Sequence, residues 1–363
     1  MTVTSAPAQP QLDEAQLGTA QRELAQASRR PSTWYRDAVS CLHATIATVL
    51  AQHGHDPLEV LGTGWSFYHR PDDLPFEEFY WPVPDEDNLG HCLAPHHQLD
   101  ISWHACSAPD RALSELAELL RQGLLPIAAV DNYHLPFRPA YHDVHAAHLI
   151  VVYGVDEYRD LVLVADPAPP GFNGPLANEA FLAATSSSNP ADEQDAFFSE
   201  TEIAGRFLVV RPDARLSALS PAEFGKALQA NLDRFHDPAG AQQWSGLAGL
   251  RRYLDAIERA ATIGDCQQVR RIYPFGWGVQ AAAAVHGELL RTRGGQWRVP
   301  ELIEAGRAVE RVAHLWTGIR VSAAHNWHQP DQLGDSFARR GHQLLAAYHR
   351  ALELTAGAID KLS

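Results

Sequence analysis

Cysteine is scarce and widely spread in this chain of 363 residues. The four cysteines are Cys41, Cys92, Cys106 and Cys266, and no two of them form a C-x-x-C pair. Such spacing argues against a disulfide framework or a zinc ribbon and is typical of proteins from a reducing cytoplasm. We therefore expect a cytoplasmic protein whose thiols are free.

Long hydrophobic runs and an N-terminal leader are also missing. The apolar stretch LIVVYGV, from Leu149 to Val155, is far shorter than the roughly 20 residues that a membrane span needs. The opening residues, MTVTSAPAQPQLDEAQ, have neither a basic n-region nor an apolar core, so no secretory signal is expected. The sequence predicts no association with a membrane.

Acidic residues outnumber basic residues. There are 29 Lys and Arg residues against 44 Asp and Glu, which gives a formal net charge of -15 at pH 7. Binding to nucleic acid needs a clustered basic face, so this class of partner is disfavoured. Hydrophobic residues make up 45% of the chain, which is ordinary for a globular enzyme and enough for two cores.

Three regions differ in their patterns. Residues 1–30 predict an N-terminal arm with a short helix. Residues 31–212 predict helices followed by an antiparallel sheet of about four β-branched strands, LLPIAAVD, HLIVVYGVDE, LVLVADP and GRFLVVRP. Residues 213–363 have helical spacing and predict an all-α domain, broken at YPFGWG (Tyr273–Gly278) and HNWHQP (His325–Pro330). This order favours the α+β class.

The stretch SCLHATIATVL, residues 40–50, places Cys41 at the start of an apolar helix. A cysteine in such a position is most often a small core residue. It can instead be a nucleophile, because helix N-terminal amides and a nearby imidazolium both lower the pKa of a thiol. The second interpretation requires a histidine and a group that orients it.

His148 and Asp166 meet that requirement. His148 stands directly before the strand LIVVYGVDE, and Asp166 closes the next strand, so adjacent antiparallel strands would bring the two side chains together. Each residue alone has a structural explanation, a capping histidine and an Asp-Pro turn. Cysteine first, then histidine, then aspartate is the chain order of papain-fold enzymes. Cys41 would attack a carbonyl, His148 would transfer the proton and Asp166 would orient the imidazole.

Three segments resemble the butirosin biosynthesis protein H family: SCLHATIATVLAQHG, DNYHLPFRPAYHDVHAAHLIVVYGVDE and LVLVADP. They share a helix-leading Cys, an Asp-x-aromatic-x-x-Pro segment, a His before an apolar strand and a later Asp-Pro. The resemblance covers about residues 34–212, with residues 131–157 the most specific. The helical half is similar to the C-terminal domain that is often fused to this family.

The resemblance implies a papain-like cysteine acyltransferase of antibiotic biosynthesis, which moves an acyl group from an acyl carrier protein to an amine. Cys41 would hold the acyl thioester, with His148 as base and acid and Asp166 as orienting group. Asp131 and Tyr133 are candidates for substrate binding, and Asp131 would either contact the acceptor amine or organise the pocket. Neither a metal nor an organic cofactor is expected, since the carrier's phosphopantetheine delivers the acyl group.

Two aromatic features accompany this resemblance. Papain-like peptidases often have an oxyanion-hole Gln about six residues before the Cys, but here that position is Tyr35, and no Gln lies nearby. The second oxyanion donor beside the Cys41 N–H is thus open, and Tyr35 is kept as a candidate substrate-binding residue. The aromatic stretch from Trp65 to Trp81 is either a lid over an acyl pocket or ordinary packing.

Other functions are compatible with the same residues. Water could capture the acyl-Cys, as in a thioesterase or peptidase, or an internal nucleophile of the substrate could do so, as in a cyclase. A non-catalytic binding protein could also keep the fold. A metal site is another alternative, carried by His134, His142, His145 and His148 or by His91, Cys92, His96 and His97. The helical domain is expected to serve carrier docking or formation of a homodimer.

Overall fold

The structure is a computed structural model, and it describes residues 30–69, 88–106, 111–212, 218–236 and 245–362. The N-terminal arm expected over residues 1–30 lies outside these ranges except for its last residue. The aromatic stretch beyond His69 lies outside them too.

The N-terminal half begins with a buried helix, α1 (Cys41–Gln52). Ser40 is its N-cap, and the Ser40 side chain accepts a hydrogen bond from the backbone N–H of His43. Residues 41–50 are all buried, so α1 is enclosed around its whole circumference, as expected of a central helix. Two short helices follow, α2 (Pro57–Gly62) and α3 (Gly90–Leu93).

The described part of the chain forms one antiparallel sheet of six strands in the order β1-β6-β2-β3-β4-β5. The strands are β1 (Leu99–Ala105), β2 (Ile127–Asp131), β3 (Ala147–Asp156), β4 (Leu161–Asp166), β5 (Phe172–Ala177) and β6 (Arg206–Pro212). Helices α4 (Ala112–Arg121) and α5 (Asn178–Ser186) complete this half. The sequence predicted four strands, and the two additional ones, β1 and β5, are the edges. The α+β class is confirmed.

The C-terminal half is helical. Its helices are α6 (Pro221–His236), α7 (Gly246–Thr262), α8 (Cys266–Trp297), α9 (Pro300–Asn326) and α10 (Gly334–Ile359). Helices α8 and α9 pack closely, since a Cβ built on Gly306 would lie 2.7 Å from the carbonyl oxygen of Gly287. Among the described helices, none is long and apolar enough to cross a membrane.

The break that the sequence predicted at residues 273–278 is wrong, because this segment lies inside α8. Pro274 removes one backbone hydrogen bond and normally disfavours a helix interior. Burial of Ile272, Phe275 and Val279 on the inner face of the same turns offsets that cost. At residues 325–330, in contrast, α9 ends at Asn326 and a turn follows.

The two halves share one hydrophobic core. Trp65 and Phe67 pack among the C-terminal helices, where Trp65 stacks on Tyr348 with ring centroids 5.4 Å apart and Phe67 stacks on Trp316 at 6.3 Å. The described beginning of the aromatic stretch is therefore buried packing and not a lid. A buried ion pair also joins the halves, with Arg293 Nε 2.9 Å from Glu59 Oε2.

Two buried histidines predict acid sensitivity. Burial lowers the pKa of both His43 and His286 from 6.5 to about 4. Between these values the unfolded chain binds more protons than the folded one, so stability is full above pH 6.5 and is lost as the pH falls toward 4. Each histidine should lower the free energy of unfolding by about 2 kcal/mol at pH 5.

Urea unfolding at pH 7.5 and pH 5 checks this expectation, with a His286→Gln variant as comparison. The variant should lose less stability than the wild-type protein over this pH interval, whatever its stability at pH 7.5. Equal losses in the two proteins would contradict the assignment of His286.

Candidate active site

Cys41 is the first residue of α1 and is 5% exposed. Helix α1 packs against β3, the strand that carries His148. The backbone N–H groups of a helical first turn point toward the N-terminal end, where they favour negative charge. A thiolate at this position is therefore stabilised by the local backbone.

His148 and Asp166 form a buried dyad. His148 is the second residue of β3 and Asp166 is the last residue of β4. Val151 pairs with Ala165, so the antiparallel register places Asp166 beside Ile150 and on the same face of the sheet as His148. His148 Nε2 lies 3.0 Å from Asp166 Oδ2. Since Nε2 faces the carboxylate, Nδ1 is the ring nitrogen that can exchange a proton with a nucleophile.

Arg138 completes the surroundings of Asp166. One of its terminal nitrogens lies 3.2 Å from Asp166 Oδ2 and also donates to the carbonyl oxygens of Ala168 and Pro169. The backbone N–H of Ala168 donates to Asp166 Oδ1 at 2.9 Å. Asp166 is completely buried, so these donors replace water around its negative charge. Arg138 is the basic residue of the otherwise apolar segment LPFRP, and no local pattern predicts its contact with Asp166.

Residues 40–167 match the family model described as butirosin biosynthesis protein H, N-terminal. The match covers less than half of the chain. It starts at Ser40, the N-cap of α1, and ends directly after Asp166, so Cys41, His148 and Asp166 all lie within it. The resemblance deduced from the sequence is confirmed over these residues. In a search of curated proteins, none matches the chain.

Asp131 also lies within the family segment, at the end of β2, but it belongs to a second cluster. It pairs with Ala147, whereas Val130 pairs with His148, so Asp131 points to the opposite face of the sheet from His148. Its Oδ2 accepts from Ser187 Oγ at 2.6 Å and contacts His145 Nδ1 at 2.7 Å.

The other carboxylate oxygen of Asp131 accepts from the backbone N–H groups of Tyr133 and Ala146. Four hydrogen bonds satisfy the usual capacity of a carboxylate. This geometry favours the organising role over contact with an acceptor amine.

Tyr133 follows Asp131 in a short 3₁₀ helix, and its ring stacks on that of His145 with centroids 4.1 Å apart. Its described contacts thus belong to the Asp131 cluster, and its part in substrate binding stays a prediction. Tyr35 packs half-buried against the core five residues before Ser40, and its role stays a prediction as well.

The fold separates His148 from His145 and His134, whose own rings lie 6.4 Å apart. His145 contacts Asp131, His148 contacts Asp166, and His96 Nε2 contacts the side-chain oxygen of Asn231 at 2.9 Å. Within the described ranges, no group of three or more His, Cys, Asp or Glu side chains is arranged to hold a metal ion. Burial also raises the pKa of the Cys92 thiol to about 11, which disfavours its thiolate.

A glutamine from the helical half reaches the chain just before Cys41. Gln280 on α8 donates from Nε2 to the carbonyl oxygen of Ala38 at 3.1 Å, and its Oε1 accepts from Thr317 Oγ1 at 2.8 Å. The Gln280 side chain is buried. No local pattern could have predicted it, because Gln280 and Cys41 are far apart in the sequence.

Proposed function

We propose that this protein is a cysteine-dependent acyltransferase of antibiotic biosynthesis that transfers an acyl group from an acyl carrier protein thioester to an amine. The observation that carries the proposal is the buried His148–Asp166 contact of 3.0 Å, within a segment that matches the butirosin biosynthesis protein H family. Cys41 begins a helix packed on the same strand. Cysteine, histidine and aspartate in this relation support nucleophilic acyl transfer.

In the first half-reaction, His148 Nδ1 takes the Cys41 proton and the thiolate attacks the carrier thioester. The tetrahedral intermediate places its negative oxygen where the backbone N–H of Cys41 can donate to it. The carbon–sulfur bond to the carrier breaks, the carrier thiol leaves with the proton from His148, and the acyl group remains on Cys41.

In the second half-reaction, the acceptor amine attacks the acyl-Cys41 thioester and gives a proton to His148. Collapse of the intermediate breaks the bond to Cys41 and releases the amide, and the thiol regains its proton. Exchange of one thioester for another is almost balanced in free energy, whereas amide formation is favourable. Aminolysis of the thioester must be faster than its hydrolysis. The burial of Cys41 and His148 favours aminolysis because it excludes water.

Mass spectrometry of the intact protein tests the first half-reaction. Wild-type protein is mixed with an acetylated carrier protein or with acetyl-N-acetylcysteamine, and the modified peptide is then mapped. We expect one acetyl group per chain, on Cys41. Cys266 is an internal control, because it also occupies the first position of a helix, after the N-cap Asp265. An unmodified protein, or equal labelling of both cysteines, would refute the proposal.

The fate of the acyl group separates transferase from hydrolase. Acetyl-Cys41 protein is isolated and divided between buffer and buffer with a primary amine. Faster loss of the acetyl group with formation of the amide supports transfer. Loss at the same rate in both portions, with release of acetate, would instead assign a thioesterase.

A further inference from the structure

One face of α8 lies against the N-terminal half. Tyr273, Trp277, Gln280, Ala284 and Glu288 follow one another at intervals of four, three, four and four residues, which places them on one side of the helix. We refer to these five residues as the α8 stripe. Its contacts connect both catalytic elements to the helical half.

The N-terminal end of the α8 stripe, formed by Tyr273 and Trp277, packs near the strand that carries His148. The rings of Tyr273 and Trp277 each lie 6.0 Å from the ring of Phe198. The carbonyl oxygen of Phe198 accepts a 2.8 Å hydrogen bond from the backbone N–H of Ala147, the residue before His148. The start of β3 is therefore tied to α8 through one intervening residue.

The other end of the α8 stripe holds the turn before Cys41. Gln280 donates to the carbonyl oxygen of Ala38, and both carboxylate oxygens of Glu288 lie 3.0 Å from Nε of Arg36. Residues 36–39 form a hydrogen-bonded turn that leads directly into Ser40 and Cys41. The α8 stripe thus contacts both the turn that precedes Cys41 and Phe198, which is hydrogen-bonded to the start of β3.

A cleft lies at this second end, between residues 36–39 and the helices α8 and α9. Its volume is about 230 Å³, which suits a small molecule and not a protein segment. Ala284 and Val285 contribute apolar surface, while Gln280 and Thr317 contribute hydrogen-bonding groups. Both halves of the protein build it, and its N-terminal wall ends two residues before Cys41.

Carboxylates outnumber guanidinium groups at the cleft, even when Arg291 is counted from outside its lining. Three carboxylates border the cleft, from Asp37, Glu288 and Glu310, against the one guanidinium of Arg36 among the described residues that line it. Arg36 is engaged with Glu288, and Arg291 contacts Glu310 from outside the lining. Asp37 is exposed at the rim. An ammonium group entering here would find carboxylate oxygens and hydrogen-bond acceptors.

We propose that this cleft binds the acceptor, a small polar molecule that bears at least one ammonium group. The proposal rests on the function proposed above and assigns the acceptor site to the helical half. The carboxylates would hold one amino group of the acceptor, while a second, deprotonated amine is directed toward acyl-Cys41.

A binding experiment tests the cleft without any reaction. The Cys41→Ala protein is titrated with 1,3-diaminocyclohexane by calorimetry, and with 1,3-cyclohexanediol as the neutral counterpart. We expect the diamine to bind more tightly than the diol. Ala284→Leu fills the cleft and should weaken diamine binding on the order of tenfold. Ala282→Leu, on the same helix but outside the lining, should leave it unchanged. Equal affinities in both variants would overturn the proposal.

A transfer experiment tests the same cleft during turnover. Asp37→Asn and Glu310→Gln should each raise the concentration of diamine that half-saturates discharge of acetyl-Cys41, by about twofold to fivefold. The rate at which the donor loads Cys41 is measured in parallel, so that an effect on acceptor binding is separated from an effect on the nucleophile. Glu304→Gln removes an exposed carboxylate of α9 outside the lining and is the matched control.

The two experiments distinguish a wrong proposed function from a wrong assignment of the cleft. If Cys41 is never loaded, the proposed function is refuted, and with it the acceptor role, whether or not the diamine binds. If Cys41 is loaded and discharged by the diamine but neither carboxylate variant nor Ala284→Leu alters half-saturation, only the assignment of the cleft is refuted.

Discussion

Replacement of Cys41 by serine is expected to lower the rate of acyl transfer by at least about 10⁴-fold. A serine hydroxyl is far less acidic than a thiol, so the helix amides and His148 cannot supply an equivalent anion. The substitution is almost isosteric, so the fold should persist. The measurement is the single-turnover rate of amide formation from a preformed acyl carrier thioester.

Cys266→Ser is the control for that loss. Cys266 begins α8 as Cys41 begins α1, and its N-cap is Asp265 where that of Cys41 is Ser40. The control variant should keep the wild-type rate. If Cys41→Ser retained more than a small fraction of the rate, Cys41 would be a core residue, and another nucleophile or direct transfer would have to be sought.

Replacement of Asp166 by alanine is expected to lower the free energy of unfolding by about 3–5 kcal/mol. The Arg138 guanidinium, whose side chain is 13% exposed, would lose its carboxylate partner while remaining in a poorly solvated position. His148 would lose its partner as well. Urea unfolding at pH 7.5 measures the change.

The exposed ion pair of Arg350 and Glu353 provides the comparison. Its side chains are 63% and 72% exposed, so Glu353→Ala should change the free energy of unfolding by less than about 1 kcal/mol. Combining Asp166→Ala with Arg138→Met should recover part of the lost stability. The second change removes the buried guanidinium charge that Asp166→Ala leaves without its carboxylate partner. If Asp166→Ala cost no more than Glu353→Ala, the buried network would not contribute as described.

The central strands and the dyad could be predicted because their signals are local. β3 and β4 are dense in β-branched residues, and one hairpin joins them, so the order His148 then Asp166 was enough to place the two side chains together. The edge strand β5 was missed because its sequence, FNGPLA, contains Gly and Pro. A proline is tolerated at a sheet edge, where its missing N–H need not pair.

Residues that act across long sequence separations could not be predicted. Arg138 contacts Asp166 only because the segment after β2 folds back over the start of the Asp-Pro turn. Gln280 contacts Ala38 through the packing of α8 on the N-terminal half. The same packing explains why Pro274 does not end α8, since tertiary burial outweighs local propensity at that turn.

The position of Trp65 and Phe67 also limits how such proteins can change during evolution. These two rings come from the half that carries Cys41, yet they fill space between helices of the other half. Recombination that exchanged only the C-terminal half would leave them facing helices with which they had not co-adapted. Exchange of a whole half would therefore cost stability unless Trp65 and Phe67 changed together with the new helices.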